Sequence, residues 1–129
     1  MLDFIRSRIA SFRHAFHGLQ YVLRTQKNAW IHLVATAAVI ALGLWLALPA
    51  RDWPMLALAI AMVWMAEVLN TSIEAVVDLA SPVHHPLAKV GKDVGAGAVL
   101  IAAGTAVVVG LLIMGPPLWA RIAPLFVGR

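Results

Sequence analysis

Two stretches of this 129-residue chain, Asn28 to Ala50 and Val94 to Ala120, contain no Asp, Glu, Lys or Arg. Each is longer than the ~20 residues with which an α-helix crosses ~30 Å of hydrocarbon. A backbone in hydrocarbon must satisfy its own hydrogen bonds, so uninterrupted helices are the expected form. Between them a further span runs from about Trp53 to Leu79, with its polar residues confined to the second half. Hydrophobic residues make up 62% of the chain and charged residues 12%, which leaves too little charged surface to cover a helical core in water.

The expected fold is therefore all-α and integral to a membrane: a single membrane domain over 1–129 with no room for a separate soluble domain. Its parts are an amphipathic segment at about 1–27, spans at 29–49, 53–79 and 93–115, a connection at 80–92 and a Pro-rich tail at 116–129, interfacial or disordered. The N-terminal segment keeps Ile5, Ile9, Phe12 and Phe16 at the helical period, interleaved with Arg6, Arg8 and Arg13. That pattern fits a surface helix with arginines available to lipid phosphates. Cysteine is absent, which excludes a disulfide framework and a thiolate metal site.

Basic residues cluster before the first span (Arg6, Arg8, Arg13, Arg24, Lys27) and in the 80–92 connection (Lys89, Lys92), whereas the turn at 50–52 holds only Arg51. By the positive-inside rule the N-terminus and the 80–92 connection are cytoplasmic and the C-terminus lies outside, in a multi-pass membrane protein.

Glu67, Asn70, Glu74 and Asp78 stand at offsets 0, +3, +7 and +11 within the second span. At about 100° per residue they share a sector of about 80° on one helix face. A charged side chain at hydrocarbon depth costs on the order of 2–4 kcal/mol, so such a stripe needs a compensating cation or a water-filled cleft. A divalent metal is the natural candidate. With the connection cytoplasmic, Asp78 is near the surface and Glu67 is about 16 Å deeper at 1.5 Å per residue. A site there meets a water-soluble partner from one side and a lipid headgroup from the other.

The connection contributes His84 and His85 between Pro82 and Pro86, then Lys92 and Asp93 at the start of the third span. A lysine at a helix entrance is a ready point charge for phosphate. Gly91, Gly95, Ala98 and Ala102 follow at spacings that let membrane helices approach closely. Other readings stay open at this point. The stripe can serve as interhelical hydrogen-bonding glue in a structural or partner-binding membrane protein, or line a cation or proton pathway. Against a pathway, the outer half of the span, Met55 to Met62, has no polar residue. Asp78 suits a helix-ending role as well as a catalytic one.

The run Ala66-Glu67-Val68-Leu69-Asn70-Thr71-Ser72-Ile73-Glu74-Ala75-Val76-Val77-Asp78, followed by Lys92-Asp93-Val94-Gly95-Ala96-Gly97-Ala98-Val99-Leu100, closely resembles the prokaryotic diacylglycerol kinase family, which also contains the undecaprenol kinases. The resemblance covers about Phe12 to Gly115. It implies a surface helix plus three membrane helices per chain, assembled as a homotrimer with active sites shared between neighbours. The implied activity is transfer of phosphate from ATP, with Mg²⁺, to a membrane lipid hydroxyl: undecaprenol or diacylglycerol. By the same resemblance Glu67 is the general base, Glu74 a metal and nucleotide ligand, Asn70 an orienting group and Asp78 a substrate-side carboxylate. Lys92 and Asp93 contact the nucleotide with His84 and His85 close by. No Walker loop is present, and nucleic acid is not an expected partner.

Two positions depart from the family pattern. Gln26 stands where a second metal-binding Glu is usual, in the stretch Arg24-Thr25-Gln26-Lys27-Asn28-Ala29-Trp30-Ile31-His32, and Trp30 stands where many members have Arg. An amide oxygen can coordinate Mg²⁺ but brings no charge. The passage His85-Pro86-Leu87-Ala88-Lys89 looks more like the undecaprenol kinase branch.

Overall fold

The computed structural model describes residues 1–126, and among these it contains four helices: α1 (Leu2–Thr25), α2 (Lys27–Trp45), α3 (Trp53–Ala80) and α4 (Pro86–Phe126). The last three are long and apolar enough to cross a membrane. Most of their large apolar side chains are exposed on the single chain, as lipid-facing or subunit-facing surfaces require.

A single residue separates α1 from α2. Gln26 adopts extended geometry (φ −101°, ψ 116°) while its N–H still bonds the Val22 carbonyl at 2.9 Å. The helical ladder breaks there, and the side chain of Gln26 is aimed at neither helix. Along α1, Phe4, Ile5, Ile9, Phe12 and Phe16 are all exposed.

The turn from α2 to α3 is closed by a Schellman motif: the Leu48 N–H bonds the Gly43 carbonyl at 3.1 Å and the Ala47 N–H bonds the Leu44 carbonyl at 3.0 Å. Ala47 takes the left-handed position (φ 54°) that glycine usually fills. Gly43 packs closely nearby: a Cβ there would lie 3.0 Å from the Trp53 ring and 3.3 Å from Leu48, so those side chains would have to give by a few tenths of an ångström. Pro54 falls in the first turn of α3, where a missing N–H costs no intrahelical bond. Leu46, Leu48 and Leu56 join Met114 of α4 in an apolar cluster at this end.

Helices α3 and α4 form the most extensive helix pair, joined by the short 81–85 turn. Their antiparallel register is marked by Asp78 paired with Lys92, Gly91 facing Val77, and Gly95 facing Asn70. The buried residues of α4 on this face are Gly95, Val99, Ala102, Gly110 and Met114, whereas Ala98 is exposed. The expected small-residue series is thus corrected at one position: Val99, not Ala98, continues the stripe, because steps of four and three residues hold one face.

The helix that contains the expected third span extends past it at both ends. The helix begins at Pro86 rather than 93 and runs through Pro116, Pro117 and Pro124 to Phe126. At 41 residues it is about 62 Å long at 1.5 Å per residue, about twice the hydrocarbon thickness. Residues 116–126 of the expected tail are therefore helical, held by Leu118 packing on the apolar cluster and the Arg121 guanidinium 4.8 Å above the Trp45 ring. These contacts override the local proline signal. Residues 127–129 of that tail lie outside the described residues.

Polar side chains within the spans are mostly satisfied locally. Thr71, Ser72 and Thr105 donate to the carbonyls four residues earlier at 2.9 Å. Trp64 of α3 donates its ring N–H to the Thr36 hydroxyl of α2 at 3.1 Å, which fixes the two helices against each other.

Candidate active site

Three layers of polar residues descend along the inner face of α3. The outermost is at the 81–85 turn, where Lys92 pairs with Asp78 and Lys89 with Asp93. Here Asp78, Lys89, Lys92, Asp93, His84 and His85 line a cavity of about 400 Å³. His85 is fixed by the Leu87 N–H, which donates to its Nδ1 at 3.2 Å. His84 and His85 are exposed, as are the carboxylates of Asp78 and Asp93. The cavity is open and flanked by two lysines, an arrangement suited to an anionic, water-soluble ligand.

The middle layer centres on Glu74. Gln26 donates through Nε2 to Glu74 Oε2 at 3.2 Å, and Asn70 donates through Nδ2 to Oε1 at 3.1 Å. Both carboxylate oxygens are thereby held by side-chain amides, one from the α1–α2 joint and one from a turn earlier on α3. Asn70 Oδ1 is buried and has no partner. It faces α4 at Gly95, the position at which any Cβ would collide with that oxygen. Glycine is required there because Asn70 occupies the space a side chain would need.

The deepest layer is Glu67, the largest fully enclosed side chain, 1% exposed. Its Oε2 has no hydrogen-bond partner, and the nearest basic group is the also-unpartnered Nε2 of His32, at 3.6 Å. Sequence reasoning assigned His32 no role. The signal that would have found it is an ionisable residue in an otherwise uncharged span. His32 also borders an apolar cavity of about 470 Å³ between α2, α3 and α4, lined by Val39, Val63, Ala106 and Leu111 among others. A headgroup next to Glu67 would have room for hydrocarbon beside it.

The residues singled out from sequence thus separate into a cavity group (Asp78, His84, His85, Lys92, Asp93), an amide-held carboxylate (Gln26, Asn70, Glu74) and a buried base candidate (Glu67). Lys92, expected as a free phosphate charge, is tied to Asp78, and Asp93 is tied to Lys89. Both pairs are solvent-exposed, where such contacts are worth about 0–1 kcal/mol and are readily exchanged for a ligand.

The donor set bears on a metal. Glu74 presents one carboxylate of the hard type Mg²⁺ prefers, while Gln26 and Asn70 turn their amide nitrogens toward it, so Gln26 would offer its oxygen to a cation only with its amide turned over. Among the described residues no group of three or more His, Asp or Glu side chains forms a cage. A single carboxylate fits a Mg²⁺ that arrives with phosphate and keeps part of its water.

The model of the prokaryotic diacylglycerol kinases matches residues 13–114. The chain belongs to that family. It is similar to a Synechocystis protein named diacylglycerol kinase, 45% identical over 111 residues, 85% of this chain and 63% of that protein. It is also similar to the undecaprenol kinase of Bacillus subtilis, 42% identical over 108 residues, 84% of this chain and 88% of that one. With the Escherichia coli K12 diacylglycerol kinase the identity is 35% over 104 residues, 75% of this chain and 85% of the relative. The family is one of lipid kinases, and the three apolar helices make this member a prokaryotic membrane protein.

Proposed function

We propose that the protein phosphorylates the hydroxyl of a membrane lipid from Mg-ATP at the cytoplasmic membrane interface, and that its lipid is undecaprenol. One observation carries this reading: a single helix face leads from an open, lysine-flanked cavity, past a carboxylate held by two amides, to a fully enclosed carboxylate facing His32, which borders an apolar cavity. A nucleotide fits the first, its cation the second and a lipid hydroxyl the third. A pathway for ions has less support, since α3 carries no ionisable side chain beyond Glu67 on the side away from the cavity.

In the reaction the lipid oxygen attacks the γ-phosphorus while the bond from that phosphorus to the β,γ-bridging oxygen breaks, and ADP leaves. Glu67 takes the proton from the lipid hydroxyl. Lys92 exchanges Asp78 for phosphate oxygens and Asp93 exchanges Lys89 for the nucleotide, while Asn70 orients Glu74. Glu74 and Gln26 would hold Mg²⁺, which when bound neutralises phosphate charge. Phosphoryl transfer needs positioning and charge neutralisation more than covalent help, so this set suffices. Exclusion of water from Glu67 favours the lipid hydroxyl over hydrolysis.

The N-terminus and the 81–85 turn are assigned to the cytoplasm from their basic residues, and α1 to the membrane surface from its exposed Phe and Ile residues. A homotrimer with shared sites would cover apolar surface that the single chain leaves exposed.

Undecaprenol is favoured by the His85-Pro86-Leu87-Ala88-Lys89 passage and by the 88% of the Bacillus undecaprenol kinase that the match spans. The 45% identity to the Synechocystis diacylglycerol kinase favours diacylglycerol as the second reading. The test is transfer of γ-labelled phosphate from Mg-ATP to each lipid in micelles, offered separately and in competition. Label in undecaprenol, with a loss of about 10²-fold or more on Glu67→Gln, is the expected result. Label in neither lipid, from folded protein with Mg²⁺ present, overturns the assignment.

A further inference from the structure

We propose that His32 is a positioning residue for Glu67: the tautomer with its proton on Nε2 donates to Glu67 Oε2 and leaves Oε1 to take the proton of the lipid hydroxyl. The inference rests on the reading of Glu67 as the base.

Both atoms are buried, and neither has any other partner. Buried polar atoms are almost always hydrogen-bonded, and an exception calls for an explanation. Here two exceptions face each other at 3.6 Å, with side chains 13% and 1% exposed. That separation is beyond a hydrogen bond. Catalytic hydrogen bonds are often long in the absence of substrate and tighten when it arrives, so a closure of about half an ångström completes the contact. Glu67 has no second basic neighbour in ion-pair range among the described residues.

The imidazole is itself held in place. The Trp64 ring meets it edge to face, with centroids 6.4 Å apart and planes at 69°. Trp64 in turn donates to Thr36 at 3.1 Å, one helical turn along α2 from His32. The order Thr36, Trp64, His32, Glu67 is a support chain that crosses between α2 and α3 three times. A histidine kept only for packing needs no such orientation toward a carboxylate. One kept as a second base would leave Oε2 without a donor in the resting state.

The experiment compares the wild-type chain with His32→Ala, His32→Gln and Glu67→Gln in mixed micelles, using Mg-ATP with undecaprenol or diacylglycerol. His32→Ala is expected to lower kcat on the order of 30-fold, with KM for ATP and for lipid within about twofold, since the loss lies in orienting the base. His32→Gln, whose amide N–H restores the donor, is expected to recover to within about threefold of wild type. The second readout needs no turnover. In ¹⁵N spectra of the histidine rings, with His32 assigned by its disappearance in His32→Gln, Nε2 is expected to carry the proton and to shift when Glu67 becomes Gln.

Wild-type kcat in His32→Ala, equal losses in the Ala and Gln variants, or a bare Nε2 overturns the proposal. If Glu67→Gln is inactive while His32→Ala turns over normally, only the role of His32 fails. If Glu67→Gln itself turns over normally, the base reading fails and this inference with it.

Discussion

Gln26, the single residue between α1 and α2, donates a 3.2 Å hydrogen bond to Glu74, a residue 48 positions later in the middle of the site. The helix break is what permits it, because a side chain at an extended joint is free to point away from both helices. A carboxylate at this position would put two negative charges side by side, stable only with a cation between them. The amide removes that requirement and joins α1 to the site in the absence of metal.

Gln26→Glu is therefore expected to lower the Mg²⁺ concentration for half-maximal activity on the order of 10-fold, because a second carboxylate strengthens a hard-cation site. The same variant should melt at a lower temperature than wild type in chelator and regain stability with Mg²⁺. Melting curves in micelles with and without Mg²⁺, alongside an activity titration, check both. Glu74→Gln should lose activity at every Mg²⁺ concentration tested, and wild type should be inactive after chelation.

Gly95→Ala tests the contact between α4 and Asn70. The added Cβ meets Asn70 Oδ1, and Asn70 can turn aside only by releasing Glu74. The expected cost is about 1–3 kcal/mol of stability from overpacking, together with an activity loss larger than that of an equally destabilising change in the Leu46–Met114 cluster. Gly97→Ala, which has open space around its Cβ position, is the control and should change neither.

The exposed Asp78–Lys92 pair separates stability from function. Asp78→Asn should cost less than about 1 kcal/mol by thermal unfolding, as exposed ion pairs do. Lys92→Ala should be similarly mild for stability yet raise KM for ATP about 10-fold or more, since a charge-assisted phosphate contact is worth about 1.5–3 kcal/mol. Steady-state kinetics with ATP varied at saturating lipid give the comparison. Equal KM values in Lys92→Ala and wild type would remove Lys92 from the nucleotide site.

Ala47 offers a change in the opposite direction. Its left-handed backbone (φ 54°) at the end of α2 carries a steric cost of about 1–2 kcal/mol for any residue with a Cβ. Ala47→Gly should raise the unfolding midpoint by a stabilisation of somewhat less than that, because glycine also gains freedom in the unfolded chain. Kinetic constants should be unchanged, as this turn lies at the end of α3 away from Glu74.

Membrane helices were legible in the sequence because the hydrocarbon imposes its length on the chain: the uncharged intervals at 28–50 and 94–120 overlap α2 and α4, and the half-polar second span is α3. The shared face of Glu67, Asn70 and Glu74 was legible for the same local reason, helical periodicity. The end of α4 was not. Pro116 and Pro117 read as a stop, and the contacts that carry the helix past them, Leu118 on the apolar cluster and Arg121 over Trp45, join residues far apart in sequence.

Sequence by itself determined the solvent, the helices and the family, since these depend on hydrophobic length, on periodicity and on an ordered set of residues within one short segment. Tertiary structure alone decided which polar groups meet. It brought Gln26 to Glu74, fitted Gly95 against Asn70, tied Lys92 to Asp78 and set the unpartnered nitrogen of His32 opposite Glu67. Each of these contacts depends on how two helices are rotated against each other. That rotation is set by side-chain packing across the whole interface, which no single helix encodes.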